Sequence, residues 1–314
     1  MAQFYALLLA LFLAFPSLAQ RPRSAEDFGE RGRERHQTGN YDGAIGDFTM
    51  QIELLTLTGK ARKDLLGSYT DDGFVVVPKE REGLTVADPR IAGIYINRGN
   101  AYFAKSRLDE AIRDYDKAIR IFPGGKEAYV CRGSARLLQK ELSAAEADFG
   151  RALKIDPKYT KALIGRGMAR LDGGNKATAF QDFDLAVELE PRNFETWQQR
   201  GDARRIAGDI AGALSDLEQA MKLEPDDPLA YLTSGLIRLN ARQFDSAAAD
   251  FKKVISLDPR LAPAFKGLGY VLYAQGQRAD AERHFEKAIE LAPRFAVEIA
   301  ENKRRLDNSR EKLP

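Results

Sequence analysis

Residues 92–125 read AGIYINRGNAYFAKSRLDEAIRDYDKAIRIFPGG, and residues 126–159 read KEAYVCRGSARLLQKELSAAEADFGRALKIDPKY. Aligned, both carry glycine at place eight (Gly99, Gly133) and alanine at place twenty (Ala111, Ala145). Both also carry a large ring at place twenty-four (Tyr115, Phe149) and proline at place thirty-two (Pro123, Pro157). The stride of 34 continues from Thr160, Phe194, Pro228 and Ala262 and ends at Phe295, without insertion or deletion. Place eight is then Gly167, Gly201, Gly235 and Gly269, and place twenty is Ala179, Ala213, Ala247 and Ala281. Place twenty-four is Phe183, Leu217, Phe251 and Phe285, and place thirty-two is Pro191, Pro225, Pro259 and Pro293. Place four is large throughout: Tyr95, Tyr129, Leu163, Trp197, Tyr231 and Phe265.

Each unit holds two amphipathic stretches of about three turns, with apolar residues at helical spacing. Glycine at place eight and alanine at place twenty let two antiparallel helices approach closely, and the rings fill the space beside them. Proline cannot continue a helix, so it stops the second one. One hairpin cannot bury its apolar faces alone, whereas stacked hairpins bury them continuously. The spacing therefore predicts an all-α solenoid of antiparallel helix pairs.

These residues resemble the tetratricopeptide repeat family over 92–295, in six units: 92–125, 126–159, 160–193, 194–227, 228–261 and 262–295. The resemblance implies a right-handed superhelix of helix pairs. A degenerate copy lies within 20–58, carrying Phe28, Gly32, Ala44 and Phe48 in register but Thr56 where proline belongs. Residues 59–91 break the period and read as an irregular insertion, with Asp72-Gly73 as a hairpin-turn signal or a loosely packed loop. Residues 296–314 read as a capping helix with a polar outer face.

Two charged series run through the units. Place seven is Arg31, Arg98, Arg132, Arg166 and Arg200, and place twenty-three is Asp47, Asp114, Asp148, Asp182, Asp216 and Asp250. These places fall on facing helices, so an Arg–Asp bridge pinning register within each hairpin is expected. Place eleven adds Arg136, Arg170, Arg204 and Arg238, where the family usually has an apolar or aromatic residue. They read as arginines snorkelling to carboxylates on neighbouring helices, or as a basic stripe for an acidic partner.

The resemblance further implies that places five, nine and twelve of the first helices line a concave groove. The candidate partner-binding residues are therefore Ile96, Asn100, Phe103, Val130, Ser134, Leu137, Ile164, Met168, Leu171, Asp202, Arg205, Leu236, Leu239, Tyr270 and Tyr273. Most are apolar, which fits an extended peptide or an amphipathic helix. The family's carboxylate-clamp subgroup needs Lys, Arg and Asn here. Only Asn97, Asn100 and Lys266 match those types, while Ile96 and Val130 fill the expected lysine region.

Composition narrows the rest. The 314 residues carry 48 Lys+Arg against 46 Asp+Glu, a balance that does not mark a nucleic-acid binder. One cysteine, Cys131, and two histidines, His36 and His284, leave no expected metal centre or cofactor. There is no P-loop, and Gly267-Leu268-Gly269 falls at the packing glycine of a first helix, not in a dinucleotide loop. A protein without catalytic activity that binds a protein or peptide is expected. A regulatory or targeting subunit of a separate enzyme is the alternative. Residues 1–19 read as a signal peptide: the apolar run Phe4–Phe15, a break at Pro16, and small residues Ser17 and Ala19 before the cut. A periplasmic or secreted location follows, with membrane attachment only if the leader is retained.

Overall fold

The computed structural model describes residues 24–56 and 89–310. The leader, the Asp72-Gly73 turn and residues 311–314 lie outside the described residues. The described residues form paired helices joined by short turns. The first pair is α1 (Ala25–Gln37) and α2 (Tyr41–Thr56), followed by α3 (Pro89–Ala104) with α4 (Leu108–Ile121) and α5 (Lys126–Leu138) with α6 (Leu142–Ile155). Next come α7 (Thr160–Asp172) with α8 (Lys176–Leu189), and α9 (Phe194–Ala207) with α10 (Ile210–Leu223). The series closes with α11 (Pro228–Asn240) and α12 (Phe244–Leu257), α13 (Ala262–Ala274) and α14 (Arg278–Leu291), and the single helix α15 (Phe295–Arg310). None of these is long and apolar enough to cross a membrane. The chain folds as two compact bodies, one running to Gly165 and one from Arg166.

The recurring residues explain the hairpins. A Cβ added at Gly99 would stand 2.6 Å from the Tyr115 ring, at Gly235 2.8 Å from Phe251, and at Gly269 2.6 Å from Phe285. The ring of the second helix thus lies on the bare backbone of the first. Place twenty is buried in every unit, from Ala111 to Ala281. A second set of glycines, at place six, serves the joint between hairpins: a Cβ on Gly165 would collide with Phe149, and one on Gly267 with Phe251. Gly267 and Gly269 are therefore both packing glycines.

The proline at place thirty-two sets the end of each second helix. Helices α4, α6, α8, α10, α12 and α14 all stop two residues before it. The intervening residue is extended, as at Phe122 (φ −134°, ψ 83°) and Asp258 (φ −138°, ψ 99°), because a residue before proline is driven from helical geometry.

In the first body α2 packs on α3, burying Phe48 and Ile52 with Ile94 and Ala101, so the degenerate hairpin joins the stack. Helix α3 begins at Pro89, so residues 89–91 are helical and not part of the irregular insertion 59–91. Proline suits a first-turn position, where its missing N–H has no partner to lose. In the second body α10 packs on α11, α12 on α13, and α15 closes the end with Phe295 and Ile299 buried against Tyr273 and Phe285. The capping helix starts at Phe295, one residue before 296, because that ring is part of this core.

Candidate functional site

The charged series is an internal fixture. Arg98 donates from Nε and Nη2 to the two Asp114 carboxylate oxygens at 2.7 and 2.8 Å, and Arg166 does the same to Asp182 at 3.0 and 2.7 Å. Arg31–Asp47, Arg132–Asp148 and Arg200–Asp216 repeat this fork. The place-eleven arginines reach the same carboxylate: Arg136 to Asp148 at 2.7 Å, Arg170 to Asp182 at 2.9 Å, Arg204 to Asp216 at 2.9 Å and Arg238 to Asp250 at 2.8 Å. They are not a basic stripe. Places seven and eleven are one turn apart on a single helix face, so both reach one carboxylate on the facing helix. Where Ser234 replaces arginine, its hydroxyl donates to Asp250 at 2.7 Å. Where Leu268 and His284 replace both partners, Leu268 is buried. Some arginines also reach the preceding hairpin within their own body: Arg132 to Asp116 and Arg200 to Asp184.

Cys131 sits partly buried beside Tyr115 and Ala135, and burial pushes its thiol up to about 11. It is protonated at neutral pH and a poor nucleophile.

The groove residues fall into distinct groups. Ile96 and Phe103 are half-buried against Ala111, Tyr115 and Ala135. The Asn100 side-chain carbonyl accepts from the Tyr115 hydroxyl at 2.8 Å. Val130, Ser134, Leu137, Ile164 and Met168 are half-buried in their helices. Asp202 and Arg205 pair with each other one turn apart at 3.4 Å.

Two of the expected groove residues are corrected by the structure. Leu171 and Tyr273 are buried, at 6% and 1% exposure, so they are core residues and not a free binding surface. Both stand at place twelve, whose other members, Phe103, Leu137, Arg205 and Leu239, keep some exposure. Tyr273 packs on Phe285, and the Arg278 guanidinium lies 4.5 Å from its ring centre.

In the second body, places five, nine and twelve converge on one concavity of about 600 Å³. Leu236 and Leu239 of α11 line it with Phe244 of α12 and with Lys266, Gly267 and Tyr270 of α13. Tyr273 borders it, and Glu298, Asn302 and Arg305 of α15 complete the lining. Leu236 stays 40% exposed, enough for a ligand to cover it. Glu298 holds Lys266 at 2.8 Å, and the Asn302 amide donates to the Tyr270 hydroxyl at 3.0 Å. Burial raises the Tyr270 hydroxyl above its ordinary range, against the opposing effect of the Asn302 bond, so it remains a neutral phenol. The sequence pointed to Leu236, Leu239 and Tyr270 through their places. Arg242 and Phe244 were not among the residues the groove places pointed to, and the α15 residues lie beyond the last repeat.

Family models of the tetratricopeptide repeat match residues 92–124, 132–194, 199–262 and 262–295. The chain belongs to the tetratricopeptide repeat family. Such proteins are in general non-catalytic interaction scaffolds, and that is the class this fold defines. A search of curated proteins returns no match. Among solved structures, a tetratricopeptide repeat protein from Parabacteroides merdae is similar with a TM-score of 0.59 at 18% identity, over 91% of this chain and 99% of its own. The Pseudomonas aeruginosa protein pilF is similar at 0.55 and 18% identity, over 68% of this chain and 97% of its own. Yeast Tom70 is similar at 0.54 and 18% identity, over 86% and 61%. These likenesses are of fold.

Proposed function

We propose that this protein is an interaction scaffold whose first-helix groove receives an extended or helical segment of another protein. The observation that carries this is the α11–α13–α15 pocket, where repeat places five, nine and twelve leave an apolar surface open beside polar and charged residues. Partly exposed leucines there lose water-contacting area when a ligand side chain enters. A photo-crosslinking side chain at Leu236, compared with one at Lys252 on α12, tests it in the protein's own cell. We expect a discrete adduct from Leu236 only, with non-crosslinked capture lost in Leu236→Asp while helicity by circular dichroism is kept. Adducts from Lys252 alone overturn the reading.

In the same reading the protein works outside the cytoplasm, supported by the apolar run Phe4–Phe15 and the small residues before Gln20. N-terminal sequencing of the protein from its own cells tests this, and a chain still beginning at Met1 in the cytoplasmic fraction overturns it.

A further inference from the structure

Among the described residues, two of the pocket's three cations lack a carboxylate partner. The place-seven and place-eleven arginines described above rest on carboxylates of their own hairpin. Arg242 and Arg305 line the pocket and meet no carboxylate among the described residues. Lys266, the third cation, is already held by Glu298. These two guanidiniums come from different elements: Arg242 from the turn between α11 and α12, and Arg305 from α15, with α13 residues also lining the pocket. The apolar surface of Leu236, Leu239, Phe244 and Tyr270 lies in the same concavity.

We propose that the pocket binds a partner-protein segment in which an apolar side chain is flanked by acidic side chains on both sides. This rests on the groove reading and adds the partner's chemistry. The apolar side chain covers the leucines and Phe244. One carboxylate meets Arg242 and the other Arg305, each as a charge-assisted hydrogen-bonded pair. The acidic groups are side chains within the segment, one for each guanidinium. Complementary charge at a partly exposed rim makes the affinity fall with added salt.

Fluorescence anisotropy with the full chain and an array of end-blocked synthetic peptides tests the proposal. The peptides place Leu or Phe between two Glu, two Gln or two Lys at varied spacing. The Glu-flanked set should bind about tenfold or more tighter than the Gln set, and the Lys set should not bind. Arg242→Gln and Arg305→Gln, each with an unchanged melting temperature, should each remove most of that difference and leave Gln-flanked binding as it was. Equal binding of the Glu and Gln sets, arginine variants that behave as wild type, or dependence on an unblocked C-terminus each overturn the proposal. So does a lack of binding by every peptide up to about 1 mM. Leu236→Asp separates the two claims. If it abolishes binding while Glu and Gln peptides bind alike, the groove stands and the acidic partner falls. If it changes nothing, and Leu236 gives no crosslink, the groove itself is wrong.

Discussion

Asp182 holds two guanidiniums on one carboxylate, and it is itself 3% exposed. A buried carboxylate is tolerable because both of its oxygens accept from charged donors. Removing it takes the buried carboxylate from Arg166 and Arg170, whose side chains are only 24% and 20% exposed. Asp182→Ala should therefore cost about 2–3 kcal/mol, below the full value for a buried pair because the arginines keep some water. Arg170→Met should cost under about 1 kcal/mol, since the Arg166 fork remains. Urea denaturation of both variants checks the contrast, and equal losses would refute the shared-carboxylate account. Asp250 differs, because a neutral serine stands where its fork should be. Burial raises its carboxyl above the ordinary 3.8 despite Ser234 and Arg238. A raised folded value means that the native state holds the proton longer than the unfolded chain. Its contribution is favourable below pH 3.8 and is lost as pH rises through the raised value. Asp250→Asn should then gain in melting temperature relative to wild type as pH is raised from about 3 to 6. A difference that does not change with pH would contradict this.

At the scale of the element, the turn between paired helices has one backbone requirement. Place fifteen has positive φ in every hairpin of the described residues: Gly39, Ser106, Lys140, Gly174, Gly208, Arg242 and Gly276. Four are glycine, which adopts this geometry without steric cost. Ser106 (φ 58°) and Lys140 (φ 62°) do so against the preference of an L-residue. Ser106→Gly and Lys140→Gly should each stabilise by about 0.5–1 kcal/mol, the relieved strain less the entropy glycine loses on folding. Chemical denaturation of the single variants checks the sign, and destabilisation in both would show that the turn holds them by their side chains. The four glycines were readable as a periodic series, but the three exceptions masked it. Similarly, the eleventh-place arginines were visible as a series, but their sharing of Asp148, Asp182, Asp216 and Asp250 required the second helix to be in position.

At the scale of the molecule, α15 both closes the stack and builds the pocket. Its inner face buries Phe295 and Ile299 over Tyr273 and Phe285, and its outer face meets water with charged residues. Deleting residues 295–314 should lower the melting temperature and make the protein associate with rising concentration, because the last hairpin loses its cover. Burying Ile299 alone stabilises by about 1.5–3 kcal/mol. Thermal melts and light scattering check this. A truncated chain that melts and remains monomeric like the full one would show that α15 is no cap.

By itself the sequence determined the hairpins, their length and their ends. Glycine, alanine and proline act on the nearest backbone, so a fixed stride of 34 dictates the local structure wherever it recurs. The family resemblance implied a groove on the first helices, at places that include Leu236, Leu239 and Tyr270. Tertiary structure alone decided which of those places stay open. Leu171 and Tyr273 have the same apolar character as their neighbours, yet they are buried, Tyr273 in the cluster with Phe285, Phe295 and Ile299. Only packing brought Arg242, from a turn, and Arg305, from the cap, to the rims of one cavity. Exposure and charge balance are properties of the assembled surface, set by residues far apart in the chain.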